Sequence, residues 1–227
     1  MSPELLRELR ADIAGRTPVV IATHLGTNEQ RRIGMGELGA DHVLAEPVAA
    51  ALRTDQPQSV EDRQGSWFLR PYNPPLRMLV VGAVHIAQAL VPMAQQSGYA
   101  VTVVDPRSQW ATPERFPGVE LQTEWPDEWM ETYRPDTRTA IVVLTHDPKI
   151  DDPALEAALH SRAFYVGALG STRTHAKRRQ RLAKHHDFSE AQLDRIDAPI
   201  GLDIGARTPA EIAIATLGSV TAALRKA

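Results

Sequence analysis

The sequence predicts an α/β protein built on a doubly wound, mostly parallel sheet, preceded by a small N-terminal α+β segment. Three observations carry that expectation. Apolar runs alternate with helical stripes from residue 76 onward, the pattern of a parallel sheet covered by helices on both faces. The run Leu79-Val80-Val81 meets Gly82 and passes at once into a stripe of Ile86, Leu90, Met93 and Ala94, so a strand turns directly into a helix. A further strand pattern from Tyr99 to Val104 ends in an acid, Asp105, where a dinucleotide-binding βαβ unit places its ribose-binding carboxylate.

Each element follows from local chemistry. Ser2 caps a helix opening at Pro3, where the missing N–H costs nothing, and Leu5, Leu6, Leu9 and Ile13 supply its apolar stripe. Residues 17–23 read as a strand, and the polar, glycine-rich text of 24–39 as a loop or irregular hairpin. A helix is expected over 41–52, with Pro47 beginning or kinking it, then a short strand over 66–70. Pro71, Pro74 and Pro75 form a stiff linker, which places a domain boundary near residue 74 and divides the chain into 1–74 and 75–227. Beyond it, strands are expected at 77–82, 100–105, 119–122, 139–145, 163–167 and 200–204, with helices over 85–97, 127–133, 153–160 and 174–185. Thr208-Pro209-Ala210-Glu211 opens the last helix with a hydroxyl cap, a first-turn proline and a capping-box glutamate.

Composition narrows the function classes. The 227 residues suffice for one medium domain with a smaller attached segment. A formal net charge of −3 gives no general attraction to nucleic acid or anionic membranes. No apolar stretch has membrane-spanning length and the N-terminus lacks signal-peptide order, so a cytoplasmic protein is expected. The chain contains no cysteine, which excludes disulfides, thiolate metal sites and a persulfide carried by this chain. The basic run with Lys177, Arg178, Arg179, Arg181 and Lys184 has no interleaved aromatics for base stacking and reads as a solvated helix face.

In a doubly wound sheet of order 3-2-1-4-5-6, ligands bind beyond the carboxyl ends of the strands, where the order reverses. That places Gly82, Ala83, Val84, His85 and Ile86 after the first strand opposite Thr145, His146 and Asp147 after the fourth. The fifth strand contributes Gly167, Gly170, Ser171 and Arg173, with a hydroxyl and a guanidinium available to an anion, and the sixth contributes Asp203 and Gly205. Several of these have two readings. His85 is a cap-region residue or a ligand and proton-transfer group; His146 is a turn residue or a ring oriented by Asp147. Asp147, Asp151 and Asp152 start a helix or bind a hard cation, the helix start being the more ordinary role. Asp105 and Arg107 pair with each other or contact a guest. Gly82, Val84 and Ala87 occupy the three positions of a dinucleotide fingerprint, and valine at the middle one obstructs a pyrophosphate and argues against ordinary NAD or NADP. A guest with one phosphate still has the free N–H groups and positive end of the following helix.

The assembled motifs resemble a known family. Gly82-Ala83-Val84-His85-Ile86-Ala87, Val103-Val104-Asp105-Pro106-Arg107, Arg115-Phe116-Pro117, Thr145-His146-Asp147, Tyr165-Val166-Gly167-Ala168-Leu169-Gly170-Ser171 and Pro199-Ile200-Gly201-Leu202-Asp203-Ile204-Gly205-Ala206 occur in order. With Thr208-Pro209 and Glu211-Ile212-Ala213, they resemble the XdhC/CoxI family of xanthine dehydrogenase accessory proteins over about residues 76–215. The resemblance implies a Rossmann-like domain and a chaperone for the molybdenum cofactor, molybdopterin, rather than an enzyme. Such a chaperone holds the cofactor, supports its sulfuration by a partner cysteine desulfurase and delivers it to a xanthine dehydrogenase-like molybdenum hydroxylase. On this reading the helix tip at Ala83 to Ile86 takes the phosphate, Gly167 to Arg173 covers it, and Asp203 or Asp105 accepts from pterin N–H groups. Two departures stand out: Val84 replaces the second glycine of the family's Gly-Ala-Gly-His, and its Cys-Gly-Gly sequence is missing. The competing expectations are an NAD(P)-dependent oxidoreductase using His85 or His146 as proton donor, and a protein-interaction module with an empty crevice. A homodimer is the default assembly.

Overall fold

The computed structural model describes residues 1–40, 42–62, 65–186 and 188–226. The chain forms two compact units, Met1–Pro74 and Pro75–Lys226. Asp41, where a helix was expected to start, and Ala227, the expected end of the second domain, lie outside the described residues.

The first unit is an antiparallel sheet with a helix on each face. Its strands are β1 (Val19–His24), β2 (Gln30–Gly34), β3 (Gln58–Asp62) and β4 (Gly65–Tyr72), in the order β2-β1-β4-β3. Helix α1 (Pro3–Ala14) is capped by the Ser2 hydroxyl, which accepts from the Leu5 N–H at 3.1 Å. Leu5 and Leu9 of α1 pack with Val19 and Ile21, while Val20 and Ala22 meet Val48, Ala51 and Leu52 of α2 (Ala45–Thr54) on the other face. This is the period-two alternation of a strand covered on both sides. The polar text of 24–39 thus contains a hairpin strand, and β3 comes from Gln58–Asp62, where no strand was expected. Pro71 lies inside β4, aligned with Val20, rather than in the linker.

The second unit carries a six-stranded, all-parallel sheet of order β10-β9-β8-β5-β6-β7. The strands are β5 (Arg77–Val81), β6 (Ala100–Val104), β7 (Glu120–Gln122), β8 (Thr139–Val143), β9 (Tyr165–Ala168) and β10 (Ile196–Asp197). Helix α3 (His85–Gln96) follows β5, α4 (Pro126–Tyr133) precedes β8, α5 (Pro148–His160) follows it, and α6 (Thr172–His186) follows β9. A short α7 (Glu190–Leu193) and a long α8 (Pro209–Lys226) complete the unit. Alternation sorts the central strands between two cores. Met78, Val80, Ala140 and Val142 pack in one core with Leu90 of α3 and Val220 of α8. Leu79, Val81, Ile141 and Val143 pack in the other with Met130 of α4, Leu155 of α5 and Leu182 of α6. Each fully buried Val or Leu contributes about 1.5–3 kcal/mol by leaving water, so these strands anchor the sheet and leave its loops free to vary.

One strand departs from expectation. The sixth was expected at 200–204 but forms at Ile196–Asp197. The ladder stops early because Gly201 takes a positive φ of 96° and Leu202 turns its N–H to the Ala215 carbonyl of α8 at 3.1 Å. Helix α5 also starts earlier than expected: Asp147 accepts from the Lys149 N–H and Pro148 occupies the first turn, where proline is tolerated. Among the described residues no helix is long and apolar enough to cross a membrane.

Candidate functional site

Register brings the strand ends together. Val81 aligns with Val143, and Val143 with Ala168, so the turns after β5, β8 and β9 leave the sheet side by side at its carboxyl edge. Strand order reverses between β5 and β8, the position where open α/β sheets bind ligands. Gly82 makes the tight exit from β5 at φ 107°, and a Cβ there would stand 2.6 Å from Thr145 Cγ2 and 3.2 Å from the Thr145 nitrogen. Only glycine allows the two turns to approach so closely.

A buried carboxylate closes the turn after β5. Asp105, at the end of β6 and fully inaccessible, accepts from the Ala83 N–H at 2.8 Å. Arg107 grips it as well, with Nε at 2.9 Å, Nη2 at 2.8 Å and its own backbone N–H at 3.0 Å. Burial pushes the Asp105 carboxyl pKa up, but the Arg107 guanidinium and the two backbone N–H groups outweigh it and hold it below the usual carboxylate range. Of the two readings for Asp105 and Arg107, the structure shows the pair. Arg107 also lies 5.5 Å from the Trp110 ring centroid.

A second polar cluster joins the next two turns. The Thr145 hydroxyl donates to Asp151 Oδ1 at 2.5 Å and accepts from the Asp147 N–H at 3.1 Å. Asp151 Oδ2 accepts from Arg178 Nη2 at 3.2 Å, and that same nitrogen reaches the Leu169 carbonyl at 2.9 Å. Asp151 and Arg178 are each 1% exposed. Burial dominates Asp151 and pushes its carboxyl up, only partly countered by Thr145, Arg178 and His146. Arg178 Nε and Nη1 are buried without an acceptor, as is Nδ1 of His175 one turn earlier on α6.

The other expected site residues fall into place around these clusters. Val84 is the half-buried N-cap of α3 and packs against the core, Ile86 is buried in that core, and His85 is exposed. His146 is exposed with a positive φ of 66°, an uncommon conformation for a side-chain-bearing residue. Gly167 faces inward, with Ile200 and Tyr165 side chains 2.7 Å from where its Cβ would lie, so packing demands its glycine. Gly170, Ser171 and Arg173 form the turn into α6, where Ser171 Oγ accepts from the Thr174 N–H at 3.2 Å. Asp203 and Gly205 lie with Leu169, Thr172, Ile200 and Ile212 around a cleft of about 470 Å³. Of the expected site residues only Asp203 and Gly205 line that cleft; Gly82 to Ile86, Asp105, Arg107, Thr145 to Asp147, Gly167, Gly170, Ser171 and Arg173 do not.

One wall of the cleft is tied down by Asp197. Its Oδ2 accepts from Tyr165 Oη at 2.5 Å, Ser219 Oγ at 2.7 Å and the Gly201 N–H at 3.3 Å. Burial first, then Asp197, drives the Tyr165 phenol far above its ordinary pKa, so it stays a donor. A Cβ on Gly201 would stand 2.8 Å from α8 backbone. Residues 197–201 are thereby pinned, while Leu202 and Ile204 project into solvent.

A family model for the XdhC Rossmann domain matches residues 78–220. The chain belongs to the XdhC family. It is 31% identical over 151 residues to the molybdenum cofactor insertion chaperone PaoD of Escherichia coli K12, covering 66% of this chain and 40% of that one. It is 29% identical over 165 residues to a Bacillus subtilis 168 protein described as a probable subunit of xanthine dehydrogenase, covering 70% and 46%. The chain therefore spans less than half the length of these relatives. A crystal structure from Bacillus halodurans, described as a xanthine dehydrogenase, superposes with a TM-score of 0.67 at 20% identity, over 98% of this chain and 64% of that one. That likeness supports the fold. Arg178 of this XdhC chain, expected on a solvated helix face, is instead buried at 1% exposure, and Asp197 sits in text that reads as an ordinary turn. A signal for Arg178 was present: it stands four residues before the buried Leu182, on the inner face of α6.

Proposed function

We propose that this XdhC-family chain carries the molybdenum cofactor and assists its insertion into a molybdenum hydroxylase of the xanthine dehydrogenase type. The observation that carries the reading is the cleft of about 470 Å³ bordered by the turn into α6 and by residues 199–206. It lies at the carboxyl edge of the sheet and is lined mostly by apolar residues together with Asp203 and Thr172, a combination suited to a flat heterocycle with polar edges. Names of relatives point the same way.

The chain's own groups bind and orient the cargo. Among the described residues no three His, Asp or Glu side chains converge as a metal site, and the chain has no thiolate. The pterin and the phosphate are the parts of the cofactor that these residues suit. Asp203 accepts from pterin N–H groups, and Gly170, Ser171 and Arg173 meet the phosphate. Asp105 acts indirectly by holding Ala83 and Arg107 in place. Sulfur comes from a cysteine desulfurase acting on the bound cofactor, in the cytoplasm, with the chain working as a homodimer. An NAD(P)-dependent reaction is disfavoured by Val84 and by Arg107, which already occupies the carboxylate a ribose would use.

The test is to purify the chain from a host that makes the pterin, oxidise the sample and detect the fluorescent pterin product. Pterin in stoichiometric amount is expected, and Arg173→Ala is expected to lower its retention several-fold with the fold intact. Protein that carries no pterin under these conditions overturns the carrier reading.

A further inference from the structure

The two helix tips at the sheet's carboxyl edge are not equivalent toward an anion. At the tip of α3, the Ala83 N–H already bonds the Asp105 carboxylate, whose negative charge lies directly behind the turn. A second negative group arriving there finds that N–H already taken, a carboxylate whose charge is offset by Arg107, and the half-buried Val84 in its path. At the tip of α6 the cap is the neutral Ser171 hydroxyl, and the first helical bond runs from the His175 N–H to the Ser171 carbonyl at 2.9 Å. The N–H groups of Thr172 and Arg173 belong to the first turn, which has no intrahelical acceptors.

Behind this second tip lies a cation. Arg178 reaches back along α6, as helical side chains do, and its Nη2 bonds the Leu169 carbonyl. The same nitrogen lies 3.8 Å from the point a Cβ on Gly170 would occupy. Gly170 takes φ 142°, and a Cβ there would also press to 3.1 Å from Thr174 Cγ2, so the turn is kept thin over the guanidinium. The Nε and Nη1 groups of this 1% exposed arginine lack acceptors. Buried guanidinium donors are normally met, and an oxyanion, directly or through a bridging water, is the acceptor of matching charge. His175 is kept neutral, because burial first, then Arg178 and Arg179, lower its pKa, so it adds no positive charge of its own.

We infer that the phosphate anchor of this chain is the Gly170–Thr174 turn over buried Arg178, taking a phosphate monoester, and that the tip of α3 is not. The inference rests on the carrier reading for its physiological guest, but not for its chemistry. Asp151 bonds Nη2 of Arg178 and orients it, the Ser171 and Thr174 hydroxyls bond each other at 3.0 Å and leave one hydroxyl proton for the anion, and exposed Arg173 closes over it from outside.

The experiment is amide mapping by NMR on the full chain titrated with inorganic phosphate, the minimal probe of this chemistry. Saturable shifts at residues 170–174, with residues 83–86 unmoved, are expected. Arg178→Met is expected to weaken phosphate at least tenfold, and Arg178→Lys to recover part of the loss, which mere volume filling does not do. Shifts centred on 83–86, no saturable shift anywhere, or unchanged affinity in folded Arg178→Met each overturn the assignment. If Arg178→Met fails to fold, the wild-type map and the Lys variant still decide. Pterin retained with phosphate mapped to 83–86 sinks only the anchor, whereas phosphate mapped to 170–174 in a chain that never retains pterin sinks only the carrier reading.

Discussion

The turn after β5 and the turn after β9 use the same parts, a glycine at positive φ followed by a helix N-terminus, yet they are opposites behind the backbone. The first is backed by Asp105, fully buried and held ionised by Arg107. The second is backed by Arg178, buried with donors to spare. A helix tip alone is worth only about 0.3–1 kcal/mol to a nearby charge; each turn is backed by an ion pair, Asp105–Arg107 at the first and Asp151–Arg178 at the second, and the difference is that the Ala83 N–H is already taken while Arg178 Nε and Nη1 have no acceptor. Two similar sequence motifs can therefore have different preferences, decided by residues 23 positions after one glycine and eight after the other.

The sharpest way to break this contrast is to remove the cation. Arg178→Met leaves Asp151 buried with Thr145 as its main support, and breaking a buried pair costs about 3–5 kcal/mol. The pH dependence has a definite sign. Asp151 is raised above its unfolded value, chiefly by burial, and loss of Arg178 raises it further. Its contribution to stability is then fully present below the unfolded carboxylate pKa and is lost as pH rises through the folded one. Urea unfolding is expected to show a larger deficit at about pH 8 than at about pH 5; an equal deficit at both shows that Asp151 does not respond to the arginine.

Removing the anion from the other turn is the matching change. Asp105→Asn weakens the charge-assisted bonds from Arg107 and is expected to cost about 2–3 kcal/mol at neutral pH. Here the sign is reversed. The Asp105 carboxyl is depressed, so its contribution is present above the unfolded carboxylate pKa and is lost as pH falls through the folded one. Acid unfolding of Asp105→Asn is expected to be flatter across that window than in the unsubstituted protein, and an unchanged acid limb contradicts the assignment.

These two turns also show how far the sequence could be read. The parallel sheet was legible because strands such as Leu79–Val81 and Ile141–Val143 are buried on both faces and become near-continuous apolar runs. The antiparallel strands β2 and β3 were not, since Gln30, Arg31, Arg32 and Glu61 give them polar text that resembles a loop. The sixth strand was displaced because Ile200, Leu202 and Ile204 alternate like a strand, although Gly201 bends the chain away and leaves Leu202 and Ile204 exposed. The strand-end residues were legible as a group through position alone. Their division into a carboxylate-closed turn and an arginine-backed one was not, because Arg178 stands in a basic run whose other members, such as Lys177 and Arg181, face outward or pair with surface acids.

The glycines give a smaller test. Gly82→Ala must place a methyl 2.6 Å from Thr145 Cγ2 at φ 107°, and is expected to cost about 2 kcal/mol. Gly170→Ala meets Thr174 Cγ2 at 3.1 Å, a side-chain contact that yields more readily, and is expected to cost about 1 kcal/mol. Thermal unfolding compares them directly. Equal losses indicate that backbone strain, rather than crowding between the β5 and β8 turns, decides both.

Val84→Gly is the mildest change and the one that separates sterics from charge. It restores a glycine to the middle position of the fingerprint and costs about 0.5–1 kcal/mol through lost packing and greater freedom of the unfolded chain. If Val84 alone kept a dinucleotide out, the variant would bind NAD saturably. Arg107 still occupies both oxygens of Asp105, and the Ala83 N–H is still engaged, so neither the ribose acceptor nor the first phosphate donor is restored. Fluorescence titration with NAD and with NADP is therefore expected to stay flat in Val84→Gly. It is expected to remain flat in Val84→Gly combined with Arg107→Ala for NADP, whose added phosphate meets the bared Asp105 carboxylate. Weak NAD binding in that double variant, absent in Val84→Gly, identifies the Asp105–Arg107 pair as the element that turned this tip away from dinucleotides.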